Sequence, residues 1–384
     1  MTFPNRSATR DASRIPCAFC GVPLTSKNRT KEHVLPNAIG GRKTVDNFIC
    51  SDCNHNTGTK WDAKLVEQLR PLCTMLNVNR SRGQNREFDV ETVSGRKLSV
   101  KRDGSIHART MPELRKILSR LKKKYTQIDL DEVLKRASPK QEYLSEPYGV
   151  SLTVGGSLAG RAIVKSCLAM VYDAGVEIGC CDDAESYLLK EGTPCFGYYY
   201  ERDVVSNRPE KAIFHCIYVS GDPKKRQLLA YVEYFSWLRI VVCLSQNYDG
   251  PSISHCYAVD PVTGKDLELD VVLTIEPDEI PEIYDYKKVN YDEIERALNA
   301  VMETWSQMDS NRARSHAIQE ALDFACRECG ISEGDVLTDE QVVRFTRVIV
   351  SRLEPFLEHM IVGSKLTEDD LRAIARKSRG RARQ

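Results

Sequence analysis

The sequence predicts an α+β fold, in which a small N-terminal unit with little core of its own precedes a larger α+β domain with a mainly antiparallel sheet and C-terminal helices. Three observations lead to this prediction. Residues 16–62 are dense in Cys, Gly, Asn and His. Residues 211–275 contain strand-like apolar runs separated by turns. From residue 291 onward, apolar residues recur at helical spacing.

The length of 384 residues predicts two or three domains. A cluster of Pro and Gly near residues 139–157 marks one boundary. The segments that we predict are a disordered arm at 1–15, a cysteine-rich module at 16–66, a basic helical and hairpin extension at 67–145, and an α+β domain with a basic C-terminal tail at 146–384.

Local patterns predict the individual elements. The apolar run from Ser157 to Ala174 begins at a serine and stops at Gly175, which indicates a buried helix. Turn signals at 94–95 and 103–104 indicate hairpins within 86–110. Further helices are predicted at 63–78 with a bend at Pro71, twice within 112–136, and at 291–308, 315–328, 339–359 and 366–378.

The composition is that of a soluble globular protein, with 41% hydrophobic and 28% charged residues. No apolar run is long enough to cross a membrane, and the polar N-terminus lacks an apolar signal core. We therefore expect a cytoplasmic protein without a membrane partner. Its 14 cysteines fit that compartment if some bind metal and the others stay reduced.

The net charge of +1 conceals an asymmetry along the chain. Residues 1–140 carry 28 Lys and Arg against 14 Asp and Glu, a net charge of +14. Residues 141–384 carry 27 against 40, a net charge of −13. A polyanionic partner is therefore expected for the first part of the chain and not for the second.

Two Cys-x-x-Cys pairs, Cys17 with Cys20 and Cys50 with Cys53, are separated by 29 residues. This spacing is typical of a tetrahedral site of four thiolates for Zn²⁺. Four thiolates leave no open coordination position, so the zinc would be structural and would replace a core that some fifty residues cannot build. The alternative is a set of four reduced core cysteines.

The cysteine pairs frame three further motifs: EHVLP at 32–36, DN at 46–47 and CNHNTG at 53–58. In this order they resemble the HNH (ββα-metal) endonuclease superfamily, especially its zinc-stapled branch with an EHVLP-type motif. The resemblance covers residues 16–66. It implies an N-terminal ββα-metal nuclease module with a structural zinc, which hydrolyses phosphodiester bonds.

The resemblance also implies roles for individual residues. His33 is expected to be the general base, and Asn47 is expected to brace the loop that orients it. Glu32 and Asn54 are expected to bind the catalytic divalent ion. Many relatives carry Asp before the His, so Glu32 is longer by one methylene.

Phosphodiester hydrolysis requires a base for the attacking water and a cation near the leaving oxygen. A histidine with a pKa near neutrality can accept the proton. One carboxylate and one amide oxygen, completed by water and phosphate, suit Mg²⁺ or Mn²⁺. Since Glu32 and His33 point to opposite faces of a strand, a bulge or turn is expected to bring both toward the phosphate.

Several flanking residues are secondary candidates. Asn56 is expected either to bind the metal or phosphate or to be an ordinary turn residue. Four basic residues near the motif are expected to contact phosphates without reading sequence, or to be solvated surface charges: Lys31, Arg42, Lys43 and Lys60.

The function predicted first is an endonuclease that cuts DNA with little sequence preference, with RNA as an open alternative. The C-terminal domain is expected to regulate the nuclease through a ligand or protein partner, or to form a homodimer or larger assembly. Such an architecture is similar to bacterial anti-phage defence nucleases. The alternatives are a zinc-dependent nucleic-acid-binding or scaffold protein with an inactive HNH fold, and a sequence-specific restriction-type nuclease.

Other chemistry-bearing residues have simpler explanations. Cys326 and Cys329 form a third Cys-x-x-Cys pair without a nearby partner pair, and we expect buried thiols rather than a second zinc. His215 and His255 lie in strand-like runs, which indicates satisfied core histidines.

Overall fold

The structure of the chain is a computed structural model that describes residues 15–92, 95–108, 148–189 and 192–363. The predicted N-terminal arm (apart from Ile15), the basic helices at 112–136 and the helix at 366–378 lie outside these residues. Among the described helices, none is both long and apolar enough to span a bilayer.

The described residues form twelve strands and seven α-helices. The strands are β1 (Arg29–His33), β2 (Thr44–Cys50), β3 (Phe88–Thr92), β4 (Lys97–Val100), β5 (Ile106–Ala108), β6 (Tyr148–Gly149), β7 (Phe196–Tyr198), β8 (His215–Asp222), β9 (Gln227–Tyr234), β10 (Leu238–Ser245), β11 (Ile253–Val259) and β12 (Asp266–Leu267). The helices are α1 (Ser51–Thr57), α2 (Ala63–Met75), α3 (Ser157–Asp173), α4 (Asp182–Leu189), α5 (Ile280–Tyr284), α6 (Tyr291–Cys329) and α7 (Asp339–Gly363). The mixture of helices and antiparallel strands confirms the predicted α+β fold.

The chain divides into two compact units. The first unit comprises Met1–Asn85 and Leu152–Trp305, and the second comprises Arg86–Ser151 and Ser306–Gln384. The cysteine-rich segment and the long strands thus belong to one unit. The predicted boundaries at 15/16, 66/67 and 145/146 stay predictions.

The first unit contains a six-stranded antiparallel sheet with the strand order β12-β11-β8-β9-β10-β7. Its central strands β9 and β10 are buried along their whole length. In the register, Val219 of β8 lies opposite Ala230 of β9, and Val232 of β9 lies opposite Ile240 of β10. Both faces of these strands are covered, which explains why their sequences are nearly continuous apolar runs.

The last of the strand-like runs within residues 211–275 forms a much shorter strand than its pattern suggests. Its alternating apolar residues extend from Leu267 to Ile275, but only Leu267 belongs to a strand, the two-residue β12, and Val271 forms an isolated bridge with Val205. They pack against the sheet core, but from residue 270 on the backbone bonds to a loop: Ser206 N–H donates to Asp270 O, and Val272 N–H donates to Val204 O. The alternation of apolar and polar residues therefore predicted correctly which side chains are buried. It did not predict that the backbone lacks a continuous ladder of strand hydrogen bonds.

Helix α3 lies at the centre of the first unit, and it confirms the helix predicted from Ser157. Nearly all its residues from Ala159 to Val171 are buried. Gly175, with φ of +80°, follows its C-terminus in the left-handed conformation that favours glycine. The helix packs against both the large sheet and the cysteine-rich segment, in contact with β8, β9, β10, β1, β2 and α2.

The second unit contains a four-stranded antiparallel sheet with the order β5-β4-β3-β6. Its small core comprises Val90, Leu98, Val100 and Ile106. The hairpins predicted within 86–110 are confirmed by the pairing of β3 with β4 and of β4 with β5. The two helices predicted at 291–308 and 315–328 are wrong as separate elements, because α6 is continuous and no Gly or Pro interrupts residues 309–314.

His215, on β8, is a satisfied core histidine, as predicted. Its ring is fully buried, Nε2 donates to the carbonyl oxygen of Ile39 at 2.7 Å, and Nδ1 accepts from the backbone N–H of Phe235 at 3.1 Å. Burial lowers the pKa of His215 from 6.5 to about 4. His255 differs from the prediction, because its ring is 34% exposed and bonds to the Asp173 carboxylate at 2.7 Å.

The depressed pKa of His215 predicts acid sensitivity of the fold. An unfolded chain protonates this ring near pH 6.5, whereas the folded chain does so only near pH 4. The contribution of His215 to stability is therefore complete above pH 6.5 and decreases as the pH falls toward 4, by about 2 kcal/mol at pH 5. We expect urea unfolding at matched zinc saturation to show this loss in the wild type. His215→Gln keeps a neutral donor and should lack that part of the pH dependence; equal pH dependence in both proteins would contradict the assignment.

Candidate active site and metal centre

The four cysteines of the two Cys-x-x-Cys pairs converge. Their sulfur atoms all lie within 4.8 Å of one another, and the Sγ atoms of Cys20 and Cys50 are 3.7 Å apart. A Zn–S bond of about 2.3 Å places tetrahedral sulfurs roughly 3.8 Å apart. The cluster therefore fits a structural zinc, as the spacing predicted.

The backbone around both cysteine pairs forms turns and N–H···S hydrogen bonds that favour metal binding. In the first pair, Gly21 has φ of +73° and donates its N–H to Cys17 O at 2.9 Å, which closes a tight turn. The second pair begins α1, where Cys50 is the N-cap and its sulfur accepts the N–H of Cys53 at 3.5 Å. The N–H of Cys50 in turn donates to the sulfur of Cys17 at 3.3 Å. Such N–H donors stabilise negative charge on the thiolates.

A small aromatic core lies beside the cysteines. The rings of Phe19 and Phe48 meet edge to face with centroids 5.6 Å apart, and Trp61 lies 6.1 Å from Phe19. Tyr172 of α3 contacts Phe48 at 5.4 Å. The cysteine-rich segment thus completes its core with a side chain from more than one hundred positions later in the chain.

Strands β1 and β2 and helix α1 form a ββα unit. In its regular part, Glu32 lies opposite Val45 and His33 opposite Thr44, so the side chains of Glu32 and His33 point to opposite faces. A bulge is present, but it lies in β2, where the register shifts between the partners of Arg29 and Lys31. No bulge lies at the Glu32-His33 pair itself, where β1 ends and a bend follows at residues 34 and 35, so the expected bulge or turn that brings both side chains toward a phosphate stays a prediction.

Asn47 lies in the bulge of β2 with φ of +58°. Asparagine tolerates this left-handed conformation better than most residues. Its carbonyl oxygen accepts the hydroxyl of Tyr172 at 2.7 Å. Asn47 therefore shapes the strand that pairs with His33, which is compatible with the predicted bracing role.

His33 ends β1 and is half-buried. Burial lowers the pKa of His33 below its usual 6.5, and nearby cations, Arg82 first among them, lower it further. The imidazole is therefore neutral at physiological pH. None of the described residues hydrogen-bonds to its ring, so its nitrogens are available to a substrate or water.

Asn54 extends from α1 toward β1. Its amide nitrogen donates to Thr30 Oγ1 at 3.1 Å and to Lys31 O at 3.4 Å. These two bonds determine the orientation of the amide and turn Oδ1 away from the strand. An amide oxygen is a suitable ligand for a hard cation such as Mg²⁺ or Mn²⁺.

Glu32 is buried, with only 3% of its surface exposed, and forms an ion pair with Lys165 of α3. The same ammonium lies 2.6 Å from Asp62 Oδ2. We call Glu32, Asp62 and Lys165 the carboxylate–lysine cluster. Burial alone would lower the pKa of Lys165, but the carboxylates of Asp62 and Glu32 outweigh it and raise that pKa. Lys165 is therefore charged.

The fit of a catalytic divalent ion is only partial in this arrangement. Within the described residues, the four cysteines are the only group of three or more His, Cys, Asp or Glu side chains whose ligand atoms lie within 4.8 Å of one another. The oxygen of Asn54 fits a hard cation. The carboxylate of Glu32 fits one only if Lys165 releases it. The roles of Glu32 and Asn54 as ligands stay predictions.

The other candidates occupy different surroundings. Asn56 and Lys60 are exposed on the segment that follows the second cysteine pair. Lys31 is exposed, 3.7 Å from Asp46. Arg42 donates to Asn79 O at 2.8 Å. Lys43 forms an ion pair with Asp173 at 2.9 Å. Of the four predicted phosphate contacts, Lys31 and Lys60 are the most accessible.

The sequence motifs did not indicate that Asp62 and Lys165 belong to the site. Lys165 is the one charged residue in the apolar stretch AIVKSCLAMV, residues 162–171. A lysine in a helix predicted to be buried requires a carboxylate partner, and this signal could have been used. The partner could not be identified, because Asp62 is the last residue of a π-helical segment, Gly58–Asp62, that local patterns do not predict.

Comparisons with known proteins agree with this geometry. Residues 17–70 match a family model described as HNH endonuclease. Neither the comparison with curated proteins nor that with solved structures gives a significant match. The match includes both cysteine pairs, the ββα unit and most of α2. Residues 17–70 therefore match the HNH endonuclease family and contain a cysteine cluster that fits zinc, and we call this segment the HNH module.

Proposed function

We propose that the chain is an endonuclease that hydrolyses phosphodiester bonds of DNA with little sequence preference. The main observation that supports this proposal is the neutral, half-buried imidazole of His33 at the end of β1. This imidazole belongs to the HNH module, in which four cysteines converge. A neutral imidazole without a hydrogen-bonding partner among the described residues is a competent base.

His33 would accept a proton from the attacking water as the bond between the water oxygen and phosphorus forms and the bond to the leaving sugar oxygen breaks. A bound divalent cation supplies charge neutralisation at the leaving oxygen. Asn54 would offer its amide oxygen to that cation. Lys31 and Lys60 would attract the phosphate backbone through their exposed ammonium groups.

Low sequence preference is supported by the surroundings of the helix in the HNH module and by the charge of the chain. This helix is continuous over residues 51–75, because α1, the π-helical segment and α2 follow one another directly. Its first turn belongs to the cysteine cluster, and one face of α2 is buried, so these parts are not available to read base edges. The net charge of +14 over residues 1–140 instead favours contact with the phosphate backbone.

We further propose that the remainder of the chain restrains the nuclease or assembles two copies of it. One HNH module has one set of catalytic groups, so cleavage of both strands requires two modules or two successive events. Helix α3, which follows the HNH module by many residues, already contributes Lys165 to the surroundings of Glu32. This contact supports control from outside residues 17–70.

The proposal is tested with supercoiled plasmid. Wild-type protein should nick, linearise and then degrade the plasmid with Mg²⁺ or Mn²⁺. His33→Ala should reduce the rate by about 10²- to 10⁴-fold, because the general base is lost. Zinc content and the melting temperature should remain at wild-type levels, since none of the described residues hydrogen-bonds to the ring. Single-stranded RNA of the same length serves as the competing substrate.

The matched control is His316→Ala, which removes an exposed histidine of α6 and should cleave at the wild-type rate. Equal activity of wild type and His33→Ala across metals and substrates would exclude His33 as the base. Complete inactivity of both, with retained DNA binding, would favour a binding protein with an inactive HNH fold. The engagement of Glu32 by Lys165 is the observation that favours this second function.

A further inference from the structure

Lys165 lies at an unusual place for a lysine. It is 1% exposed and lies in the middle of α3, surrounded in sequence by Val164, Ser166 and Cys167, all buried. Its ammonium contacts two side chains of the HNH module, Glu32 and Asp62. A charge is retained in such a position only when partners neutralise it.

The carboxylate–lysine cluster is not electrically balanced. Two acidic side chains face one ammonium, so the cluster contains one more acidic group than basic groups. Asp62 Oδ1 is buried and has no hydrogen-bond partner among the described residues. An unpaired carboxylate oxygen in low dielectric attracts any cation that can reach it.

Lys165 occupies the position in which a cation would stand if Glu32 were a metal ligand. Glu32 Oε1 and Asp62 Oδ2 both direct lone pairs at the ammonium. Carboxylate oxygens are also the preferred ligands of Mg²⁺ and Mn²⁺. An ammonium and a divalent ion cannot occupy the same point between two carboxylates.

We propose that Lys165 is a built-in competitor for the divalent cation at Glu32, so that this carboxylate binds metal only when the lysine withdraws. The proposal rests on the proposed nuclease function, in which Glu32 is a candidate ligand, and specifies how its metal site is regulated. Lys165 belongs to a helix packed on the large sheet. Metal binding at Glu32 is therefore linked to the position of α3, and anything that moves α3 changes the affinity for metal.

The test measures metal binding without nucleic acid. Zinc-loaded full-length protein is titrated with Mn²⁺, followed by calorimetry and by the electron paramagnetic resonance of free Mn²⁺. Lys165→Met keeps most of the side-chain volume and removes the charge. We expect Lys165→Met to bind Mn²⁺ about tenfold or more tightly than the wild type, because Glu32 is no longer occupied. Its melting temperature should rise with Mn²⁺ concentration, since the ion would neutralise two buried carboxylates.

Two control variants test whether a gain in Mn²⁺ affinity is specific to Lys165 and depends on Glu32. Lys225→Met removes one lysine from an exposed pair with Glu276 and should leave Mn²⁺ affinity unchanged. Glu32→Gln combined with Lys165→Met should lose the added affinity. Unchanged Mn²⁺ affinity in Lys165→Met would overturn the proposal, and so would a gain that survives Glu32→Gln. Either result would show that Lys165 does not compete with the cation for Glu32.

Lys165→Met leaves two unpaired carboxylates and can fail to fold. Lys165→Met with Asp62→Asn removes one of them and keeps Glu32, so the same titration and the same expected gain apply to this second variant. Because binding and melting are measured without substrate, they are independent of cleavage. Loss of cleavage with a normal Mn²⁺ response would reject the nuclease function alone, whereas normal cleavage without the response would reject only the competition by Lys165.

Discussion

Replacing Cys53 by Ala is expected to remove the zinc and, with it, the folded state of the HNH module. Burial, and then the neighbouring Cys17 thiolate, raise the pKa of Cys53 far above its usual value. Only a cation at the centre of the four sulfurs can keep them ionised together. For small zinc-dependent folds, metal binding contributes about 10 kcal/mol or more to folding. The aromatic core of Phe19, Phe48 and Trp61 is too small to replace that contribution.

The loss is measured by zinc content, by circular dichroism and by limited proteolysis, which should cleave within residues 17–70 of Cys53→Ala and spare the wild type. Chelation of zinc from the wild type should give the same pattern. Cys329→Ala is the matched control, because Cys329 does not belong to any converging cysteine group in the described residues. A Cys53→Ala protein that retains stoichiometric zinc, or resists the protease without it, would contradict the structural zinc.

The second large effect is expected from Arg239→Met, in the core of the large sheet. The carboxylate of Glu233 is fully buried and is held by two guanidinium groups, those of Arg208 at 2.9 Å and Arg239 at 3.3 Å. Arg239 is 3% exposed and also contacts Glu293 at 2.9 Å. Removing one partner leaves buried charge insufficiently neutralised, and such changes cost about 3–5 kcal/mol. We expect Arg239→Met to lower the free energy of unfolding by this amount in denaturant titrations.

Arg296→Met is the control for this prediction, because Arg296 pairs with Glu293 while being 71% exposed, and it should change stability by less than about 1 kcal/mol. The double variant Glu233→Gln/Arg239→Met should be less unstable than the sum of its two single variants, since the unpaired carboxylate is then absent. Additive losses, or an Arg239→Met protein as stable as Arg296→Met, would show that the buried network contributes little.

Local sequence patterns predicted the features that depend on local chemistry. The spacing of Cys17, Cys20, Cys50 and Cys53 predicted a cluster that the structure confirms, because a Cys-x-x-Cys turn places two sulfurs on one side of the backbone. Periodicity located α3, and apolar runs located β8 to β11, because burial imposes a repeat on the residues of each element. Motif order was sufficient to identify the family of residues 17–70.

Local sequence patterns did not predict the position of the bulge. The sequence led us to expect a bulge or turn that brings Glu32 and His33 toward one phosphate, and the bulge that the structure contains lies in β2 around Asn47. Whether a strand bulges depends on its partner's register and on the contact from Tyr172, 125 positions away along the chain. Patterns of residues a few positions apart contain no information on the register of the partner strand or on the contact from Tyr172.

By itself, the sequence determined the metal-binding cysteines, the HNH motif and the order of the main elements, since each depends on residues a few positions apart. Only the tertiary structure decided which charges meet in the interior: Lys165 lies 133 positions from Glu32 and 103 from Asp62. A buried charge signals that some partner exists, but the choice among the many acidic side chains follows from how α3 packs between the HNH module and the sheet. Burial strengthens the pairing of Lys165 with its carboxylates, and only the folding of the chain determines that these are Glu32 and Asp62.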